Sequence, residues 1–219
     1  MLYIVATPIG NLKDITFRAL EVLKSADAII CEDTRHSSLL LNNYQIKKPL
    51  IILNDFNEAR TVDTIIDQLK TGQNLALISD AGTPLINDPG YKLVRKCLEE
   101  NIEVDSLPGA VSPIVALTLS GLPPDKFLFL GYPPEKPGHR KEFFESLKIY
   151  QDITLILFVS PHKILKNLAE IQEIYGDIEI VLAHELTKIH QSVEKRKISD
   201  FLENLKNPKG EYILLLRNG

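Results

Sequence analysis

Through the first half of the chain, short and almost wholly apolar runs alternate with longer amphipathic stretches. Leu2–Ala6, Ala28–Cys31, Leu50–Leu53, Leu75–Ser79 and Ile102–Leu107 predict strands. Between them, Thr16–Ser25, Ser37–Tyr44, Ala59–Thr71, Tyr91–Glu100 and Ser112–Ser120 predict helices. In the third of these, Ile65, Ile66 and Leu69 make one apolar face, with Asp63, Asp67 and Lys70 opposite. Strands too apolar to face water on either side, separated by helices, predict an α/β fold: a mostly parallel sheet covered on both faces.

The rhythm changes after Gly121-Leu-Pro-Pro-Asp-Lys126, where adjacent prolines break any helix. Beyond it Phe127–Gly131, Thr154–Val159, Glu179–His184, a segment around Gln191–Ile198 and Tyr212–Arg217 predict strands, while Arg140–Tyr150, Ile164–Tyr175 and Ser199–Leu205 predict helices. The last three strands have only one short helix among them, which predicts a mixed, partly antiparallel sheet. The expected organisation is two α/β domains, residues 1–121 and 122–219.

Composition narrows the class. Of 219 residues, 44% are hydrophobic and 25% charged, ordinary for a globular protein rather than a disordered one. The longest strongly apolar stretch, Ile153–Val159, is too short to span a bilayer as a helix, and Met-Leu-Tyr-Ile-Val lacks the basic lead of a secretory signal. Cys31 and Cys97 stand alone, without metal-ligand spacing, as reduced thiols would. The expectation is a cytoplasmic protein. A net charge of −4 argues against nonspecific coating of nucleic acid but leaves room for a local basic face.

Several familiar motifs are missing from the sequence: the Gly-x-Gly-x-x-Gly dinucleotide fingerprint, the phosphate-binding loop and the Gly-x-Ser-x-Gly nucleophile elbow. His184-Glu185 is not a zinc helix, because the position four after His184 is Lys188; no metal is expected. What the sequence does carry is turns loaded with Gly, Pro, Asp and Asn directly after strands. These are Ala6-Thr-Pro-Ile-Gly-Asn-Leu12, Cys31-Glu-Asp-Thr-Arg-His36, Ser79-Asp-Ala-Gly-Thr-Pro-Leu-Ile-Asn-Asp-Pro-Gly90 and Leu107-Pro-Gly-Ala110. Any one is simply a good turn and helix cap. Four on the carboxyl edge of one parallel sheet make a binding crevice the better reading.

These segments, with SGLPPDKFLFLGY, SPHK and ELTKIH further on, closely resemble the ribosomal RNA small subunit methyltransferase I family, in the tetrapyrrole-methylase-like class. The resemblance covers essentially the whole chain. It implies a homodimer of two-domain subunits, S-adenosylmethionine bound in the cleft between domains, and 2′-O-methylation of a cytidine of small-subunit ribosomal RNA. It implies cofactor contacts from Asp80, Ala81, Gly82 and Thr83, with Ile86 lining the adenosyl pocket. Pro8, Val111 and Ser112 are expected to contribute from the first domain, and Phe158, Val159, Leu186 and Tyr212 from the second. Asp33 or Glu185 is the expected base or orienting carboxylate, with Arg35 and Lys188 holding RNA phosphate or the developing oxyanion. The alternative for Asp33 and Arg35 is a salt-bridged helix cap.

Lys136, His139, Arg140 and Lys141 form a basic run expected to meet RNA, whereas the run 195–197 reads as a solvated face. Four positions depart from the family pattern. Val159 stands for a glutamate, Lys163 and His184 for arginines, and Gln191 for a glutamate; the changes at 159, 163 and 184 together suggest an ion-pair network exchanged as a unit. The chain also stops after Tyr212–Arg217, where longer family members continue into a helical domain. Two rival readings remain: a methyltransferase of the same fold acting on a tetrapyrrole-like small molecule, and a ribosome-associated module that binds S-adenosylmethionine without turnover.

Overall fold

The computed structural model describes residues 1–54 and 58–218. These divide into two compact units, Met1–Val111 and Ser112–Gly219. The division falls ahead of the expected break at the Gly121 turn. The reason is the helix Ser112–Ser120, apolar on nearly every side, whose buried Ala116 and Leu117 belong with the strands of the second unit.

In the first unit, strands β1 (Leu2–Val5), β2 (Ala28–Cys31), β3 (Leu50–Ile52), β4 (Leu75–Leu77) and β5 (Val104–Leu107) form a wholly parallel sheet in the order β3-β2-β4-β1-β5. Helices α1 (Phe17–Ser25), α2 (Thr34–Asn43), α3 (Glu58–Lys70) and α4 (Tyr91–Glu99) cover it. Alternate strand residues face opposite ways. Leu2, Ala28, Ile30, Leu75 and Leu77 pack with Val62, Ile65, Ile66 and Leu69 of α3 and with Leu93 and Cys97 of α4. Val5, Ile29, Cys31, Ala76 and Ile78 pack with Ala19 and Leu23 of α1 and Leu41 of α2. Two helices per face follow from handedness. The chain steps one way from β1 to β2 to β3 and the other way from β3 to β4 to β5, and right-handed crossovers then require opposite faces.

The second unit opens with α5 (Ser112–Ser120) and continues β6 (Phe127–Phe129), α6 (Pro137–Ser146), β7 (Thr154–Val159), α7 (Ile164–Tyr175), β8 (Glu179–His184), β9 (Ser192–Lys197), α8 (Ile198–Asn204) and β10 (Tyr212–Arg217). Its sheet runs β6-β7-β10-β8-β9, parallel only between β6 and β7. Leu155, Leu157, Val159, Leu182, Tyr212 and Leu214 form a core with Phe144 of α6, Ile164 and Leu168 of α7, and Phe201 of α8. Helix α5 packs on the same sheet.

One contact in the first unit fixes the loops described next. A Cβ added at Gly109 would stand 2.4 Å from the Ala6 Cβ, with backbone behind it. Gly109→Ala is therefore expected to cost about 1–3 kcal/mol in urea unfolding. Ala6→Gly in the same chain should recover part of that loss. A single variant as stable as wild type would show that the two turns can part without cost.

Candidate functional site

Parallel register sets the carboxyl ends of β1, β2, β4 and β5 along one edge, and the turns leaving them are fastened to one another. Thr7 and Gly82 form an isolated antiparallel bridge, Thr7 N to Gly82 O at 2.8 Å and Gly82 N to Thr7 O at 3.1 Å. The buried Thr7 hydroxyl donates to Ser79 O at 3.1 Å, and the Thr83 hydroxyl donates to Ala110 O at 3.0 Å. Gly82 (φ 89°) sits so close to Ile9 that a Cβ would lie 3.2 Å from its Cγ2, in a backbone region that disfavours side chains. Leu85 (φ 73°) and Asn87 (φ 69°) continue the left-handed turn. Of the expected cofactor residues here, Pro8 and Gly82 are buried, Thr83 and Val111 are half-buried, and Asp80, Ala81 and Ile86 are exposed. Small or apolar groups beside fixed backbone are what close approach to a nucleoside requires.

The turn after β2 is built around Asp33. Its side chain caps α2 by accepting from Arg35 N at 2.8 Å, and the Arg35 guanidinium forks onto the same carboxylate. This is the salt-bridged cap that the sequence offered as the alternative. The Arg35 side chain, first by its hydrogen bonds and then by its amide and charge, holds the Asp33 carboxyl at about 2. Arg35 itself remains 88% exposed at the side chain. His36 Nδ1 lies 3.1 Å from Asp80 Oδ2, joining this turn to the one after β4.

Asp88 escaped the sequence reading, where it was one residue of a turn. Burial pushes its carboxyl up to about 6, against a hydrogen bond from Ser79, and the carboxylates of Glu32 and Asp80 add to the rise. Nothing in the composition of the turn signals that burial.

In the second unit, Tyr212 pairs with Val159 on one side and His184 on the other, so the ends of β7 and β8 and the start of β10 share an edge. Phe158 and Val159 point to opposite faces, Val159 into the core with α6 and α7. Leu186 and Tyr212 are buried, and Ser112 is half-buried at the head of α5. Glu185 (φ 47°) folds its side chain under Gly210, where an added Cβ would meet its Oε1 at 2.7 Å. That oxygen accepts from Glu211 N at 2.9 Å and Lys188 Nζ at 3.0 Å. Burial pushes the Glu185 carboxyl up, but these bonds and the Lys188 charge outweigh it and leave the group below its ordinary value. Lys188, also bonded to Glu211 Oε2 at 3.0 Å, is raised by its two carboxylate partners against the opposing effect of burial.

One expectation is corrected. Arg140 is not presented to RNA; it is buried, forked onto Glu170 with a 2.7 Å bond from Nε, and donates to Glu135 O at 3.1 Å. Lys141 pairs with Glu173. Helical spacing turned these residues toward α7, which the charge run alone could not reveal. The four departing positions have separate surroundings in this chain. Lys163 pairs with Glu135, His184 stacks on Tyr212 at 4.3 Å, the Gln191 side chain accepts from Thr187 N at 2.6 Å, and Val159 is core.

A family model described as tetrapyrrole (corrin/porphyrin) methylases matches residues 1–202. Ribosomal RNA small subunit methyltransferase I of Haemophilus influenzae is 48% identical, over 99% of this chain and 78% of that protein. The protein of that name from Thermotoga maritima is 44% identical, over 98% of this chain and 97% of its own. Among solved structures, diphthine synthase is similar with a TM-score of 0.74 at 14% identity, covering 99% of this chain and 89% of that one. Uroporphyrin-III-C-methyltransferase from Thermus thermophilus is similar with a TM-score of 0.68 at 18% identity, covering 99% and 94%. At such identities the likeness speaks for the fold alone.

The Asp88 carboxyl carries a pH signature. Its folded value of about 6 exceeds the unfolded value of 3.8, so the folded chain binds the extra proton between them. Its contribution is therefore fully present below about pH 4 and is lost as pH rises to about 6. Asp88→Asn should match wild type near pH 4 and be more stable near pH 7.5, by on the order of 1–2 kcal/mol after solvent screening. Thermal unfolding at the two pH values measures this, and an equal gain or loss at both would remove the buried carboxyl from the account.

Proposed function

Because the chain belongs to the tetrapyrrole (corrin/porphyrin) methylase family, we propose that it is a cytoplasmic S-adenosylmethionine-dependent methyltransferase that modifies the 2′-hydroxyl of a cytidine in small-subunit ribosomal RNA. The observation that carries this reading is the 48% identity, across 99% of the chain, to a relative that bears the name of a ribosomal RNA methyltransferase. A tetrapyrrole substrate has the general description of the family model and the distant fold likeness behind it, but neither matches the near full-length identity to the ribosomal RNA methyltransferases.

The turn after β4 fits the cofactor in chemistry. Exposed Ala81 and Ile86 offer an apolar seat, and the Thr7–Gly82 bridge holds the adjoining backbone still. When bound, S-adenosylmethionine would supply a methyl carbon activated by its sulfonium for displacement by a ribose 2′-oxygen, with S-adenosylhomocysteine as leaving group and the hydroxyl proton passing to solvent. The protein's share is alignment, which can lower the barrier by several kcal/mol, and stabilisation of charge on the oxygen. Arg35, oriented by Asp33, presents a cation to phosphate or to that oxygen. Lys188, held by Glu185 and Glu211, is the second such cation. Neither Asp33 nor Glu185 has the proton affinity of an efficient base at neutral pH, since both are committed acceptors of strong hydrogen bonds. Their role in this reading is to orient.

Incubating the protein with methyl-labelled S-adenosylmethionine and isolated small ribosomal subunits should place label on one cytidine ribose. Arg35→Ala should lower kcat/KM about 10–100-fold with unchanged thermal stability and unchanged calorimetric binding of S-adenosylhomocysteine. Heat on cofactor binding without label transfer would reduce the protein to a binding module. Wild-type kinetics in Arg35→Ala would remove that residue from the mechanism.

A further inference from the structure

The second unit holds a cavity of about 310 Å³ to which the reading above assigns no ligand, although Val159, an expected cofactor contact, and Glu211, a partner of Lys188, are in its lining. It opens among the loop after β6, the end of β7, the first turns of α6 and α7, and the turn before β10. Its walls include Tyr132, Glu135, Arg140, Lys163, Asn167 and Glu211. Most of the charges in these walls are compensated. Arg140 is forked onto Glu170, Lys163 is paired with Glu135, and Glu211 accepts from Lys188. Arg140 and Lys163 thus carry no uncommitted charge, and an anionic group such as phosphate finds little net attraction here.

Asn167 differs. The residue is 3% exposed, yet its Oδ1 has no hydrogen-bond partner among the described residues. A buried amide left unsatisfied costs on the order of 1–3 kcal/mol, so such groups call for an explanation. An amide can offer an acceptor and a pair of donors side by side, and a half-turn exchanges them. This is the complement of the hydrogen-bonding edge of a nucleobase. Tyr132, 55% exposed, supplies an aromatic face at the same cavity, backed by Phe158 at 5.3 Å between ring centroids. Flat apolar surface beside an amide whose oxygen lacks a partner, with charges neutralised, suits an uncharged planar heterocycle.

We propose that this cavity receives an unpaired pyrimidine base of the RNA substrate, stacked on Tyr132 and hydrogen-bonded by the Asn167 amide. The proposal rests on the RNA-methyltransferase reading for the identity of the base, and on the cavity and the orphaned amide for the site. Single-stranded RNA is read by such pairing of aromatic stacking with edge hydrogen bonds. The site supplies base selectivity without contributing to cofactor binding.

The test uses the whole chain and cytidine as probe. Saturation-transfer NMR should detect cytidine binding to wild type. Tyr132→Ala and Asn167→Leu should each weaken it about tenfold. Tyr132 lies on an exposed loop, so its variant guards against a folding failure at buried Asn167, and thermal unfolding checks both. Both variants should raise KM for small ribosomal subunits while leaving calorimetric binding of S-adenosylhomocysteine unchanged. No cytidine binding, binding indifferent to both substitutions (a water satisfying Asn167), or displacement of cytidine by S-adenosylhomocysteine would each overturn the proposal. If wild type binds cytidine through these residues but transfers no methyl group to small subunits, the cavity stands and the methyltransferase reading fails. If transfer proceeds and the variants match wild type, the reverse holds.

Discussion

The antiparallel bridge between Thr7 and Gly82 is the constraint on which the first unit's edge depends. Turns leaving a parallel sheet ordinarily have no ladder to hold them, and each costs conformational entropy to order. Here the turn after β1 is hydrogen-bonded to the turn after β4 through both backbone groups of the bridge, and the Thr7 hydroxyl reaches Ser79 O as well. The turn after β5 joins through Thr83 to Ala110 and through the contact of Gly109 with Ala6. Three turns therefore move as one body with the sheet. A site assembled on them inherits the rigidity of the strands, which is what alignment chemistry demands.

That constraint explains which parts of the chain were legible beforehand. Segments whose pattern is set by burial stood out: β2, α5, β7, α7, β8 and β10 have the bounds that their apolar runs predict. Where ends were misplaced, a local hydrogen bond decided. Helix α2 starts at Thr34 rather than Ser37 because the Asp33 side chain caps it, and α6 starts at Pro137, a residue suited to a first turn. The turns themselves were conspicuous in sequence, since Gly82 and Gly109 stand where no side chain fits. Their mutual fastening was not, because it joins residues from 27 to more than seventy positions apart.

Electrostatics were the least legible part. A run such as Lys136–Lys141 looks like a free cationic face until α7 brings Glu170 and Glu173 alongside. The EDTR cluster looks like a set of free charges, yet Asp33 is spent on capping α2 and on orienting the exposed Arg35. Conversely, Asp88 and Asn167 looked unremarkable in sequence, and only tertiary burial gives the first its raised proton affinity and the second its unsatisfied amide. Charge counts describe what a surface could bind; pairing decides what it still can.

The same pairing bears on how a protein with net charge −4 could engage RNA. Arg140, Lys141, Lys163, Lys195 and Arg196 are each committed to a carboxylate, which reduces what these five can add to phosphate binding through counterion release. Shape and uncharged contacts such as base stacking are the other sources of affinity for RNA. In the proposed reading, rigid turns of the first unit hold the cofactor, and a neutral cavity of the second unit takes a base. Each contributes a separate part of the alignment on which methyl transfer depends.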